Sequence, residues 1–209
     1  MILAIDTSAG QCAVALTGNA PVVERAAMHR GHAEALFPMI DSVLARGGVA
    51  FGDLARIAVC TGPGSFTGVR IGVGAARGLA LALGIPASGV SRFEALAAQA
   101  GAPVAVCLAG RGNTMYVQCF EAEGRPAGEP RMIGAEALAA AIPAAISRFA
   151  GDAAYLAAGD SALLPDGLPD PAVIARLAAA RPPAESPRPL YLRGADAAPP
   201  REAPPALLD

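Results

Sequence analysis

The sequence predicts a layered α/β protein, and three observations carry that expectation. Short apolar runs alternate with segments whose apolar residues recur at helical spacing. Three strand-like runs stand together at the start, before any helix. Aromatic content is only 4% against 54% hydrophobic, so the core has to be built from Ala, Val, Leu and Ile.

The elements follow in order. Residues 1–5 form an apolar run that ends at Asp6 and reads as a buried strand. "CAVALTG" and "PVVERAAM" are two more strands, and a turn at Gly18-Asn19-Ala20-Pro21 makes them an antiparallel hairpin. Over residues 32–46, Leu36, Phe37, Ile40, Val43 and Leu44 mark one helical face. Pro38 is expected to kink that helix or set its effective start, and Gly47-Gly48 to end it. "RIAVCTG" is a strand, followed by a loop and a helix over Phe66–Leu83, closed by Gly84-Ile85-Pro86. "PASGV" is a short strand, and Ser91 is placed to cap a helix at Arg92–Ala100. In the second half, "PVAVCLA", "MYVQCFEAEG" and "AYLAAG" read as strands, and "GAEALAAAI" and "PAVIARLAAA" as helices. From Pro182 the chain is Pro-rich, and an extended tail docked near "PLYLR" is expected.

Composition narrows the function classes. All 16 basic residues are Arg, so any mechanism that needs a lysine is excluded. Net charge is −2 with no basic run, which disfavours a chain that binds nucleic acid tightly on its own. Cys12, Cys60, Cys107 and Cys119 form no C-x-x-C pair and each lies in an apolar run, as buried thiols of a reducing compartment do. "MILAIDTSAG" lacks a basic segment and reaches Asp6 early, unlike a signal peptide. No apolar stretch free of Gly, Pro and charge reaches membrane-spanning length, and a cytoplasmic protein with no membrane partner is expected.

The stretch "CTGPGSFTGVRIGVGAARGLALALG" raises the question of phosphate. A Walker loop needs Lys, which the chain lacks. Gly62, Gly64 and Gly68 give G-x-G-x-x-x-G, one residue longer than the dinucleotide fingerprint, and Gly72, Gly74 and Gly78 miss it in the same way. Gly64 and Ser65 at the helix start, with Thr7 and Ser8 after the first strand, remain candidate anion or nucleotide contacts. Turn chemistry explains Thr7 and Ser8 equally well. Gly64, Gly68, Gly72, Ala76, Ala80 and Gly84 fall four apart and make one stripe of very small residues, with Gly74 and Gly78 a second. Glycine inside a helix costs up to about 1 kcal/mol relative to Ala, so the stripes imply close approach of another backbone. One stripe suits a neighbour in the same fold, and two suggest a partner chain as well.

No catalytic or metal set assembles from the remaining residues. His29 and His32 are three apart, without an H-E-x-x-H motif or further ligands. Asp152, Asp160 and Asp166 lie in expected loops, where solvated acids are ordinary.

"ILAIDTS", "HAEALFPMI", "GPGSFTGVRIGVGAARGLALALGIPASGVS" and "PLYLR" together resemble the TsaB family of bacterial tRNA threonylcarbamoyladenosine biosynthesis, with older glycoprotease-like labels. The resemblance covers nearly the whole chain and is strongest over residues 1–100. It implies an actin-like, sugar-kinase-type (ASKHA) fold: residues 1–100 as one lobe, 101–195 as a smaller related lobe, and 196–209 as a Pro-rich tail. It implies a non-catalytic subunit without a cofactor. That subunit supports a TsaD-type catalytic paralogue beside a TsaE-type ATPase, forms a homodimer when alone, and meets tRNA only indirectly.

In that family two helices of each partner join in a bundle. The expected interface here is His32, Leu36, Met39, Ile40 and Val43 with Gly68, Val69, Gly72, Val73, Ala76, Arg77 and Ala80. The paralogue's metal pair H-x-x-x-H falls on Arg92 and Leu96, neither a metal ligand. Relatives often read D-A-R-x-x-E-V-Y in the second lobe. This chain keeps Arg111 and Tyr116 but has Ala109 and Thr114 in place of the acids. The rival class is an independent enzyme of the same fold, an ATP-dependent kinase or a metallopeptidase.

Overall fold

A computed structural model describes residues 1–18, 21–182 and 186–192. Its first sheet holds β1 (Ile2–Asp6), β2 (Gln11–Leu16), β3 (Val22–Ala27), β4 (Arg56–Cys60) and β5 (Ala87–Val90), in the order β3-β2-β1-β4-β5. The first three strands make an antiparallel meander, and β4 and β5 add parallel to β1. The second sheet holds β6 (Val104–Ala109), β7 (Thr114–Phe120), β8 (Arg131–Gly134) and β9 (Phe149–Ala150), in the order β8-β7-β6-β9. Here too a meander is joined by a strand parallel to its first member. The same plan twice, without a visible sequence repeat, makes this a two-lobe α/β fold of the actin-like type.

The alternation of side chains along β1 decides the layers. Leu3 and Ile5 point to one face, where α1 (His32–Gly47) and α2 (Phe66–Leu83) lie with Leu36, Ile40, Val43, Val69 and Val73. Ala4 points to the other, against Ile174, Ala175 and Ala178 of α6 (Pro171–Ala179). Small Ala4, Ala15 and Ala58 on that face let α6 sit close. In the second lobe, Val104, Val106 and Leu108 meet Phe93 and Leu96 of α3 (Arg92–Ala100), while Ala105 and Cys107 face Leu138 and Ala153.

Several expectations change. Helix α1 runs through Pro38 from His32, so Pro38 does not set the start. Residues 134–142 form a 3-10 turn and then a short helix, α4 (Leu138–Ala141); Ile142 is extended ahead of Pro143, as a residue before proline prefers. Residues 154–159 are not a strand but contain α5 (Tyr155–Ala158), because alanines favour helix and Gly159, with φ 53°, ends it. β8 and β9 were not expected; both are short strands at sheet edges.

The expected lobe at 101–195 also needs correction: α6 belongs to the first sheet, and Leu190 N donates to Thr61 O at 2.8 Å, returning the chain to the end of β4. The first hairpin's turn includes Asn19 and Ala20, and the tail 196–209 lies wholly beyond Leu192; both fall outside the described residues.

Candidate partner-binding face and interlobe cleft

Helix α2 begins at Ser65, whose Oγ accepts from Gly68 N at 3.2 Å, and ends at Gly84 with φ 66°. Its first small stripe faces inward. A Cβ on Gly72 would stand 2.5 Å from Thr7 Oγ1 and 3.4 Å from Val59 Cγ2, and one on Gly68 or Gly64 would overlap the carbonyl oxygen of Thr7 or Ser8. The glycines therefore let α2 lie directly on the loop after β1. Gly68, Val69, Gly72, Val73, Ala76 and Ala80 are buried in the chain's own core, as are Leu36, Met39, Ile40 and Val43 of α1. Their assignment to a partner interface is corrected: burial in the first lobe already occupies them. His32 is buried as well and lines the interlobe cleft.

Arg77 alone of the expected set is exposed. Around it, the second stripe opens outward. Nothing lies within 4 Å of a Cβ built on Gly74 or Gly78, Leu81 is 85% exposed, and Phe37 of neighbouring α1 is 47% exposed. At the start of α2, the Arg70 guanidinium lies 3.7 Å over the Phe66 ring and donates to Tyr191 Oη at 2.9 Å. Among the described helices α2 is the one long and apolar enough to cross a membrane, with hydropathy 1.3. Its inward stripe is accounted for by the core, and its outward stripe carries Arg70 and Arg77.

The Asp6-Thr7-Ser8 turn is occupied internally. Thr7 Oγ1 donates to Gly68 O at 2.7 Å. Asp6 Oδ1 accepts from Ser8 N at 2.9 Å and Ser8 Oγ at 2.6 Å, and Oδ2 accepts from Gln11 Nε2 at 2.8 Å. Thr7 and Ser8 are buried, so as anion contacts both are corrected: their hydroxyls hold the turn and the helix start together. Gly64 and Ser65 stay exposed beside the cleft. Cys60 packs against Ser8 at the end of β4, and burial, with the Asp6 carboxylate, pushes its thiol well above the ordinary range.

Arg92 and Leu96 have structural work. The Arg92 guanidinium pairs with Asp152 Oδ2 at 2.8 Å and donates to Gly167 O at 2.8 Å. Leu96 is fully buried between the lobes. Among the described residues no group of three or more His, Cys, Asp or Glu is placed to hold a metal. Ala109 N donates to Asp152 Oδ1 at 2.8 Å and Thr114 Oγ1 donates to Arg111 O at 2.7 Å.

The cleft itself has a volume of about 550 Å³ and lies beyond the carboxyl ends of β1, β4, β6 and β9. Such ends are where open α/β sheets receive ligands. One wall carries Ser8, Ala9, Gly10, His29, His32, Gly64 and Ser65, and the other Arg92, Ala109, Asp152, Asp166 and Leu168.

Fold and motifs place the chain among proteins related to the tRNA threonylcarbamoyltransferases: the family described as TsaD, tRNA N6-adenosine threonylcarbamoyltransferase, matches residues 22–150. A structure from Pseudomonas aeruginosa, an uncharacterized protein with similarity to peptidase YeaZ, is 34% identical with a TM-score of 0.79, over 92% of this chain and 99% of that one. YeaZ from the same organism is 33% identical with a TM-score of 0.74, over 85% and 90%. The tRNA threonylcarbamoyladenosine biosynthesis protein TsaB of Escherichia coli K12 is 42% identical over 97 residues, 46% of this chain and 42% of its own length. TsaB of Bacillus subtilis 168 is 43% identical over 99 residues, 46% and 43%. The chain thus spans less than half the length of these curated relatives. It belongs to the TsaB, or YeaZ, family.

Proposed function

We propose that the chain is a non-catalytic scaffold subunit in the synthesis of threonylcarbamoyladenosine in tRNA, in the cytoplasm, and that it binds a TsaD-type catalytic subunit through the outward face of α1 and α2. The observation that carries this reading is the second glycine stripe. A Cβ on Gly74 or Gly78 would meet nothing within 4 Å beyond the helix itself, yet glycine inside a helix is unfavourable by up to about 1 kcal/mol each. A close-packed helix from another chain explains both, and exposed Leu81 and Phe37 supply apolar area beside them. Arg92 paired with Asp152 and buried Leu96 at the positions matching the catalytic metal ligands support a role without chemistry. A TsaE-type ATPase joins the assembly, tRNA reaches this chain only indirectly, and without its partner the chain covers the same face by forming a homodimer. Residues 1–100 supply that face.

The test is tRNA threonylcarbamoylation by a TsaD, a TsaE and a threonylcarbamoyl-adenylate synthase of the same organism, with and without this chain. Activity that requires the chain supports the reading. Equal activity without it overturns the reading and turns attention to ATP turnover and bound zinc in the isolated chain.

A further inference from the structure

We propose that Phe66, Arg70 and Tyr191 form a carboxylate-binding anchor that receives an Asp or Glu side chain of a partner protein. The inference rests on the reading that the outward face of α2 binds a partner, and it extends that face to a residue far beyond 1–100. The cluster stands at the head of the outward stripe. Phe66, Arg70, Gly74 and Gly78 follow one another at a spacing of four on α2. Tyr191 comes from the other end of the chain. Its segment is fixed to the fold by Leu190 N, which donates to Thr61 O at 2.8 Å. Leu190 and Leu192 also pack against the cluster that holds Phe93 and Leu96.

The first observation is a guanidinium held in place with its far end open. Arg70 is exposed, where an arginine ordinarily samples many rotamers. Here its guanidinium carbon lies 3.7 Å from the Phe66 ring centroid and 5.9 Å from that of Tyr191. The two ring centroids stand 5.1 Å apart, with the planes tilted by 33°. Arg70 Nε donates to Tyr191 Oη at 2.9 Å, which sets the orientation of the group. Nη1 and Nη2 have no hydrogen-bond partner among the described residues, and the Tyr191 O–H has no acceptor among them. Two N–H groups side by side match the two oxygens of a carboxylate. Fixing the fork before binding removes the ordering cost that makes exposed ion pairs weak.

The second observation is exposed aromatic area. Phe66 and Tyr191 are each 45% exposed, in a chain with only six Phe and three Tyr. Tyr and Arg are among the residue types that concentrate binding energy in interfaces. The third observation is charge. Arg70 and Arg77 are the only charged residues of α2, and neither has an ion pair among the described residues. They stay unpaired although acids outnumber basic residues by 18 to 16 in the chain. An acidic partner surface complements such a helix. A nucleic-acid phosphate would also suit a guanidinium, but a net charge of −2 and the lack of a basic run favour a protein carboxylate.

The experiment titrates the TsaD-type subunit of the same organism with the chain and its variants in a calorimeter. Arg70→Met should weaken pairing at least about tenfold, as truncating one member of a desolvated charge pair does. Arg70→Lys should recover little of that loss, since an ammonium group lacks the fork. Tyr191→Phe keeps the ring and removes the hydroxyl that orients Nε, and should weaken pairing about threefold. Added salt should weaken the parent complex more steeply than the Arg70→Met complex. Each variant is checked for native circular dichroism, and if Arg70→Met loses it, Arg70→Lys and Tyr191→Phe decide. A parent that pairs, loses pairing with Gly78→Phe and keeps it with Arg70→Met overturns the anchor and leaves the partner reading standing. No pairing by the parent overturns both. Full recovery by Arg70→Lys overturns the anchor as well. So does tRNA held by the isolated chain and lost with Arg70→Met while pairing is unchanged, which gives the cluster to nucleic acid instead.

Discussion

Arg92 Nη2 and Asp152 Oδ2 stand 2.8 Å apart and tie the start of α3 to the loop after β9. The Arg92 side chain is almost fully buried, and Asp152 retains 29% exposure. Removing one member of a buried pair leaves the other charge uncompensated, at a cost of about 3–5 kcal/mol, and the solvent left to Asp152 moves this case to the low end. Arg92→Met should therefore destabilise the chain by about 3 kcal/mol in urea unfolding. Adding Asp152→Asn should recover part of that loss. Equal losses for the single and the double variant would show that solvent compensates the unpaired Asp152 carboxylate, so that leaving it without Arg92 costs nothing.

Gly72 and Gly78 sit on one helix and should respond oppositely. Gly72→Ala forces a Cβ to within 2.5 Å of Thr7 Oγ1, where the hydroxyl already bonds Gly68 O, so overpacking should cost about 1–3 kcal/mol. Gly78→Ala meets open space and should stabilise the isolated chain by up to about 1 kcal/mol. A large residue, Gly78→Phe, should leave the thermal midpoint of the monomer nearly unchanged and abolish pairing with a TsaD-type partner in calorimetry. Undiminished pairing would move the interface off this stripe.

How far the sequence spoke can be judged on the same helix. The spacing of the small residues made α2 and its close neighbour legible, down to the end at Gly84, whereas Ser65 reads in the sequence as an anion contact and proves to be the cap. It did not say which stripe faced inward, because a stripe of glycines looks the same whether its neighbour is a loop of the same chain or a foreign helix. The answer lies in the turn after β1, where the oxygens of Thr7 and Ser8 occupy the space a Cβ would take. The cleft was less legible still. Ser8, His32, Ser65, Arg92 and Asp152 are far apart in sequence, and only the pairing of two sheets brings them to one wall or the other. The alanine-rich segment at 154–159 misled because an apolar run with no marked period fits strand and helix alike.

The capping box at α3 gives a local test. Ser91 Oγ accepts from Glu94 N at 3.1 Å, and Glu94 Oε2 accepts from Ser91 N at 2.7 Å. Glu94 Oε1 also meets Arg181 at 2.7 Å, so the cap is joined to the segment after α6. Ser91→Ala should cost about 1 kcal/mol, and Ser91→Asp should restore most of it, since either oxygen satisfies the same amide. Both are read from the midpoint of chemical unfolding. A Ser91→Ala variant as stable as the parent would mean that the contacts of α3 with β6, rather than its cap, hold that end.

The four thiols make stability depend on alkaline pH. Burial pushes Cys12 up to about 11, with Asp6 adding to the shift, and Cys107 up to about 12, with Cys119 adding to it. Cys60 and Cys119 are raised by burial as well. In the unfolded chain each thiol returns to its ordinary value near 9.0. Below that value the thiols are protonated in both states, and their contribution to folding is fully present. Between 9.0 and about 11 the unfolded chain loses protons that folded Cys12 and Cys107 retain, so stability falls as pH rises. The slope is about 1.4 kcal/mol per pH unit for each thiol that stays protonated. Urea unfolding compared at about pH 8 and about pH 10.5 should show this fall, and Cys12→Ala should flatten it by about one thiol's share. The same burial should keep all four thiols unreactive toward iodoacetamide in the folded chain and open them together on denaturation. A slope that Cys12→Ala leaves unchanged would place the alkaline sensitivity in other groups.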